Sequence, residues 1–352
     1  MRRLARGRAP VLSARSRWHP FGRRGRLGAA VACLSLLAAA CAKNAPMDTL
    51  EPAGPNARTI DNLINPVFII AAIVFVAVEG IALVFTIRYR HREGAPEPVQ
   101  IHGSTKLEVG WTLIPALILL GIAVPTIATI FKLAKAPDNP LNVTVTARQF
   151  WWEYEYPDLG VVTANELHMP VGRNLELTLR GEDVIHSFWV PKLSGKTDVV
   201  PGRSNRMSIS ADTPGTYLGQ CTEFCGLSHA NMRLKAVVQA PAEFEAWVDS
   251  QRRAASAPVP GSPAAEGAEL YLSKGCGGCH TVQGVSEGKV GPDLTHLDSR
   301  SSFAGSMFEM TPENLATWLR DPPGVKPGSK MPNLNLSADE TSKLVAYLET
   351  LK

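Results

Sequence analysis

The sequence predicts a multidomain chain in which two membrane-spanning helices precede a small all-β domain and then an all-α domain. Three observations carry this reading. Two apolar runs of 21 residues lie close together, at 67–87 and 111–131. From about 141 to 240 the pattern changes to short alternating segments separated by turn residues. Beyond 266 the chain shows helix-start signals instead. A length of 352 residues is enough for two or three modules.

The N-terminus reads as an export leader over residues 1–41. The first 26 residues hold nine arginines and no acid, and the apolar run 27–40 follows, too short to span a bilayer comfortably. The run ends Leu37-Ala38-Ala39-Ala40-Cys41, which resembles a bacterial lipoprotein cleavage site and makes Cys41 a lipidation candidate. Plain signal cleavage or a retained leader are the alternatives, and all three send the chain out of the cytoplasm. The formal charge of +4 owes much to this leader, and the rest of the chain is slightly acidic. Nucleic acid is not an expected partner.

The membrane hairpin is expected over 60–135. Each apolar run is about 31 Å long as a helix, close to the hydrocarbon thickness. Pro115 and Pro125 are tolerated in such helices. Glu79 lies mid-span, where a charge is costly and marks a functional candidate or a partner on another subunit. The intervening loop carries Arg88, Arg90, Arg92 and Lys106, whereas Lys43 and Arg58 are the cations between Ala42 and the first span. That bias places the loop in the cytoplasm and everything after residue 131 on the outer, periplasmic side of a bacterial plasma membrane.

The β domain is expected over 141–253. Asn142-Val-Thr-Val-Thr, Asn174-Leu-Glu-Leu-Thr-Leu and Arg206-Met-Ser-Ile-Ser alternate as half-buried strands do, and Pro157-Asp158, Val171-Gly172 and Pro214-Gly215 punctuate them. A helix at 242–253 closes the domain. Residues 254–266, rich in Ala, Pro and Ser, read as a linker. The last domain, 267–352, has helices at 267–273, 311–320 and 337–351, the third opening on a Ser-Ala-Asp-Glu capping box.

Two cysteine pairs carry the chemistry. Cys221-Thr-Glu-Phe-Cys225-Gly-Leu-Ser-His229-Ala-Asn-Met232 packs two thiols, an imidazole and a thioether into one short stretch, and His186 lies 35 residues before Cys221. Soft sulfur with imidazole suits copper or zinc, and a thioether favours copper. Two cysteines on one loop can bridge two copper ions, each with its own histidine. A disulfide, or a zinc site built from Cys221, Cys225, His229 and His186, is the alternative. The second pair sits in Cys276-Gly-Gly-Cys279-His280, the attachment pattern of a c-type haem, with His280 placed to bind iron. Met331, in Lys326-Pro-Gly-Ser-Lys-Met331-Pro, is the preferred second axial ligand over Met307 and Met310.

The run Gly219–Met232 resembles the dinuclear copper (CuA) loop of cytochrome c oxidase subunit II. Leu107-Glu-Val-Gly-Trp-Thr-Leu-Ile-Pro115, Gln149-Phe-Trp-Trp-Glu-Tyr-Glu-Tyr156, Asp183-Val-Ile-His-Ser-Phe-Trp-Val190 and Lys196-Thr-Asp-Val-Val-Pro-Gly-Arg203 resemble the same family in the same order. Residues 264–352 resemble class I cytochromes c, and the combination resembles a caa-type oxidase. The resemblance implies a cupredoxin-like Greek-key β-barrel after the hairpin. It implies His186, Cys221, Cys225, His229 and Met232 as side-chain ligands of CuA, with Glu223 binding through its backbone carbonyl and its carboxylate reaching magnesium at the subunit I boundary. Glu108 matches a glutamate at the entrance of a proton path. The aromatic cluster departs from the common Gln-Trp at Phe150, which leaves Trp151 and Trp152 as a possible electron route.

The function implied is that of the electron-input subunit of a proton-pumping terminal oxidase. Electrons pass from haem c to CuA and on to subunit I, which holds haem a and copper and reduces oxygen; no catalytic residue is expected in this chain itself. Subunit III, and an upstream cytochrome c or cytochrome bc complex as donor, are the further partners. One rival is a membrane-anchored carrier serving a nitric-oxide or nitrous-oxide reductase. Another is a copper-delivery protein holding a single exchangeable ion.

Overall fold

The computed structural model describes residues 28, 31–33 and 45–352 apart from 95, 98 and 101. Cys41 and most of the expected leader lie outside the described residues. Residues 46–352 form one compact unit.

Two long helices come first, α1 (Pro55–Arg88) and α2 (Thr105–Ala134). At 34 and 30 residues they are about 51 and 45 Å long. Both run past the apolar stretches that announced them. Each is long and apolar enough to cross a membrane, and no residue in the most apolar stretch of either is buried. The N-terminal end of α1 is seated in the β domain. Ala53 and Ala57 donate backbone N–H groups to the carbonyls of Lys192 and Leu193, Asn56 donates to the Ser208 carbonyl at 2.7 Å, and Arg58 pairs with Asp212. Lys132 of α2 reaches Thr59 of α1 at 3.2 Å.

Ten strands follow: β1 (Leu141–Arg148), β2 (Trp151–Tyr156), β3 (Val161–Ala164), β4 (Glu166–Pro170), β5 (Leu175–Gly181), β6 (His186–Trp189), β7 (Thr197–Val199), β8 (Ser204–Ile209), β9 (Gly215–Cys221) and β10 (Arg233–Gln239). They form two five-stranded sheets, ordered β3-β2-β1-β5-β8 and β4-β10-β9-β6-β7. The β1–β5 and β4–β10 pairs are parallel and the other neighbours antiparallel. The alternation seen in the sequence is the inward face: Leu141, Val143 and Val145 lie beside Leu175, Leu177 and Leu179 in register, all buried. Leu167 and Met169 of the second sheet complete the core. Burying each such side chain is worth about 1.5–3 kcal/mol. Helix α3 (Pro241–Gln251) caps the barrel through Phe244, Trp247 and Val248.

The C-terminal domain holds α4 (Pro263–Ser273), α5 (Pro312–Arg320), α6 (Pro322–Val325) and α7 (Ala338–Leu348). Helix α4 starts inside the expected linker because Ser262 caps it, accepting from the Ala265 N–H, with Pro263 in the first turn. Ser337 and Glu340 form the expected capping box of α7. Gly267 lets α4 and α7 touch, since a methyl there would lie 2.0 Å from the Lys343 carbonyl oxygen. Two short ladders, β11 (Thr281–Val282) with β12 (Ser286–Glu287) and β13 (Ser302–Phe303) with β14 (Phe308–Glu309), add strand to a domain expected to be wholly helical. They are hairpins in the long connections, too brief for an alternating pattern to show.

Candidate metal centre and haem cavity

The first site sits at one end of the barrel. Strand β6 opens with His186 and β9 closes with Cys221, and the two strands pair at Phe188 and Cys221. Strand β10 begins directly after Met232 and pairs back onto β9 through Arg233 and Gln220. The segment 221–232 is therefore a loop stretched between two hydrogen-bonded strands, with His186 beside its first residue.

All the proposed donors converge there. The Cys221 and Cys225 sulfurs are 3.8 Å apart, far beyond a disulfide bond of about 2.05 Å, and both cysteines are free. The His186 Nδ1 lies 3.8 Å from the Cys221 sulfur. The His229 Nδ1 lies 3.6 Å from the Cys225 sulfur, and the Met232 sulfur is 3.9 Å from that same thiol. The Glu223 carbonyl oxygen is 3.2 Å from the Cys221 sulfur, while the Glu223 side chain is exposed. Donor atoms of His186, Cys221 and Cys225 all lie within 4.8 Å of one another. His229 stands outside that trio, on the Cys225 side. Each thiol thus has its own imidazole.

The electrostatics favour a cation. Cys221 is lowered, first by the hydrogen bond from its neighbouring thiol, and Cys225 is raised, first by that same hydrogen bond, which holds its proton, then by burial and by the charge on Cys221. Two thiolates at this spacing need a positive charge between them. His186 is oriented from behind: its Nε2 lies 2.9 Å from Asp183 Oδ1. A carboxylate only accepts, so Nε2 carries the hydrogen and Nδ1 turns its lone pair to the sulfurs. Burial would raise Asp183, but hydrogen bonds from His186 and from the Gln149 and Val184 N–H groups outweigh it and hold it below the ordinary range. Trp152, fully buried, sets its ring edge-on to His186 at 6.1 Å.

The second site is a cavity of about 470 Å³ whose lining includes Cys276, Cys279, His280 and Met331 among apolar side chains such as Leu294, Leu315 and Leu319. Met307 and Met310 are not in its lining. His280 Nδ1 donates to the Pro292 carbonyl at 2.8 Å, leaving Nε2 with the lone pair that a metal can take, and burial keeps the ring neutral by lowering its pKa. The Trp318 indole N–H donates to the Met331 sulfur at 3.2 Å. An apolar pocket holding two thiols, a neutral imidazole and an oriented thioether fits a covalently held haem.

Part of the cavity wall belongs to the β domain. Arg148, Phe150, Trp151 and Asp183 line it, with the Arg148 guanidinium 5.0 Å from the centre of the Trp151 ring. The Phe150 ring lies between two glycines: methyls built on Gly226 and Gly328 would sit 3.2 and 3.1 Å from its carbons. Gly226 follows Cys225, and Gly328 lies in the loop that carries Met331.

Polar contacts, those of Glu166 among them buried, join the two domains around this wall. Glu166 of β4 accepts from Ser301 N at 3.0 Å, Ser301 Oγ at 2.6 Å and Ser302 Oγ at 3.1 Å. Burial would raise this carboxyl, but its hydrogen-bond donors bring it down to about 2. His168 Nε2 is 3.9 Å away, too far for a strong hydrogen bond, so the serine donors dominate. Lys330 pairs with Asp183 at 3.2 Å, and Ser228 donates to the Pro327 carbonyl at 2.6 Å. The Arg233 N–H donates to the Gly305 carbonyl at 3.1 Å.

Other residues named from sequence lie apart from both sites. Glu108 is exposed in the first turn of α2 and Glu79 is exposed on α1. Sequence reasoning gave no role to Asp183, Glu166, Lys326 or Trp318. Asp183 stands three residues before His186 and Lys326 opens the Met331 run, so both were close enough to notice. Nothing local marked Glu166.

Residues 42–129 match the family described as the cytochrome c oxidase subunit II transmembrane domain. Residues 161–240 match the subunit II periplasmic domain, and 264–352 match cytochrome c. The cytochrome c oxidase subunit 2 of Alkalihalophilus pseudofirmus is 38% identical over 91% of this chain and 95% of its own length. That of Bacillus subtilis is 32% identical over 93% and 98%. Among solved structures, the periplasmic domain of subunit II of cytochrome oxidase from Bradyrhizobium japonicum is 31% identical, with TM-score 0.33, over 34% of this chain and 97% of that one. With these stretches in this order and relatives matched over nearly their whole length, the chain belongs to the cytochrome c oxidase subunit II family, in a form that carries a cytochrome c domain at its C-terminus.

Proposed function

We propose that this chain is the electron-input subunit of a proton-pumping haem–copper oxidase, anchored in the bacterial plasma membrane with both redox domains on the outer face. The single observation that supports it best is the copper loop: two free thiols 3.8 Å apart, each with its own imidazole, beside one thioether. A single tetrahedral ion would draw both imidazoles to one point, whereas this set divides into two halves. His186, Cys221, Cys225, His229, Met232 and the Glu223 carbonyl would hold a dinuclear CuA centre. Cys276 and Cys279 would attach haem c, with His280 and Met331 as axial ligands. When bound, these groups supply reversible one-electron chemistry, and the oxygen chemistry belongs to subunit I.

The chain's own residues do the positioning. Strand pairing fixes the loop ends, Asp183 fixes the His186 tautomer, and Trp318 orients the Met331 thioether. Trp151 at the cavity and Trp152 against His186 remain the candidate electron route, now joined by Phe150, which touches both loops. Glu223 would present its exposed carboxylate to magnesium at the subunit I boundary, and Glu108 would stand at the proton-path entrance. Subunit III, and a cytochrome c or bc complex as donor, complete the assembly.

Metal and haem counting on the complex purified from membranes tests the reading. Two coppers and one c haem on this polypeptide are expected, with the paired-copper spectrum lost in Cys221→Ser or Cys225→Ser and haem c still attached. A single copper per chain, or unchanged copper in both variants, overturns it.

A further inference from the structure

Lys326 is a buried cation that the electron-transfer reading leaves unused. It is 3% exposed, and its ammonium donates to the Phe150 carbonyl at 2.7 Å and to the Ala304 carbonyl at 2.7 Å. Phe150 belongs to the β domain and Ala304 to the cytochrome domain. Burial pushes the amine down to about 7. Burying an ammonium against neutral carbonyls alone is costly, so its position calls for an account beyond packing.

The surroundings supply one. Ala304, Gly305 and Ser306 all have positive φ, of 53°, 73° and 55°, and this left-handed turn presents the Ala304 carbonyl to Lys326 and the Gly305 carbonyl to Arg233. On the other side, the residue whose carbonyl Lys326 holds is the one whose ring is wedged between Gly226 and Gly328.

We propose that Lys326 is a positioning residue for electron transfer inside this subunit, its ammonium tying the backbone of Phe150 to the Met331 loop so that the packed interface, and not the linker, sets the approach of haem to copper. The proposal rests on the electron-input reading above and deepens it.

The test uses the full oxidase with a protease recognition sequence inserted between Ser256 and Ala257, where the chain runs between α3 and α4. After cleavage the parent is expected to keep its cytochrome domain on the membrane complex. Release of the domain from the cleaved parent overturns the proposal whatever the variants do. Lys326→Met should release it after cleavage. Before cleavage, the same variant should slow flash-initiated transfer from haem c to copper by roughly tenfold or more, and magnetic-resonance relaxation between the two centres should change from one distance to a spread. The separate haem and copper spectra should stay as in the parent, which a merely unfolded interface domain would not allow. Retention, rate and distance all unchanged in Lys326→Met would overturn the proposal. A parent without a paired-copper spectrum would instead overturn the electron-input reading, while retention after cleavage would still report on the latch.

Discussion

A single methyl at Gly305 should pry the two redox domains apart. Built on the observed backbone, it would lie 2.5 Å from the Asn231 carbonyl oxygen, 2.7 Å from the Lys326 ammonium and 3.0 Å from the Phe150 carbonyl oxygen. Ordinary contact begins at 3.4 Å, so the worst overlap is about 0.9 Å, and it is against backbone. Overpacking of this kind costs ~1–3 kcal/mol. The residue also has φ +73°, where an alanine costs ~1–2 kcal/mol. The two costs fall in different places. The backbone cost weakens the cytochrome domain itself, whereas the overlap weakens docking. Gly284 separates them, because its φ is +81° and nothing lies within 4 Å of a methyl there. Both Gly305→Ala and Gly284→Ala should lower the melting temperature of the haem domain. Gly305→Ala alone should weaken re-association of the cytochrome domain after linker cleavage, by roughly 5- to 150-fold for ~1–3 kcal/mol. Equal re-association in the two variants would refute the packed-interface argument.

Glu166→Gln should cost roughly 1–3 kcal/mol at neutral pH, since it weakens the charge-assisted hydrogen bonds from Ser301 and Ser302 that hold the carboxyl below its ordinary range. A depressed acid stabilises the fold above its ordinary value, so the gap between parent and variant in thermal melts should narrow as pH falls from 4.5 toward 2. Trp318→Phe removes the N–H donor to the Met331 sulfur; a net hydrogen bond of ~0.5–1.5 kcal/mol corresponds to a fall of roughly 20–60 mV in the haem c potential by redox titration, and an unchanged potential would count against that contact. Asp183→Asn should weaken copper retention roughly 10- to 100-fold against a chelator, with haem c content unaltered.

The membrane pair, the barrel strands and the residues of both candidate clusters were legible because each rests on a local rule. Apolar length announces a span, alternation announces β1 and β5, and Cys276, Cys279 and His280 are neighbours in the chain. Met331 was separable from Met307 and Met310 by its Pro-Gly-Ser-Lys context, and the cavity lining agrees. What stayed hidden depends on pairs far apart in sequence. Glu166 meets Ser301 across 135 positions, and Lys326 meets Phe150 across 176. No spacing rule relates such residues, so all that the sequence offered between the two domains was the linker at 254–266. Phe150 was noticed as a departure, but its place between Gly226 and Gly328 needed both loops in view.

The seating of α1 in the β domain has a consequence for the whole assembly. Ala53, Asn56 and Ala57 bond to strand-side carbonyls within one turn of where the helix begins, so the rod that enters the bilayer and the scaffold above it share one rigid axis. Successive residues of a helix advance by about 100°. Deleting one residue between Ala57 and the apolar stretch would swing the copper loop by about that angle around the membrane normal, away from whatever it faces below. The compass bearing of the redox domains is written in the phase of a helix, and a longer linker further along the chain could not restore it.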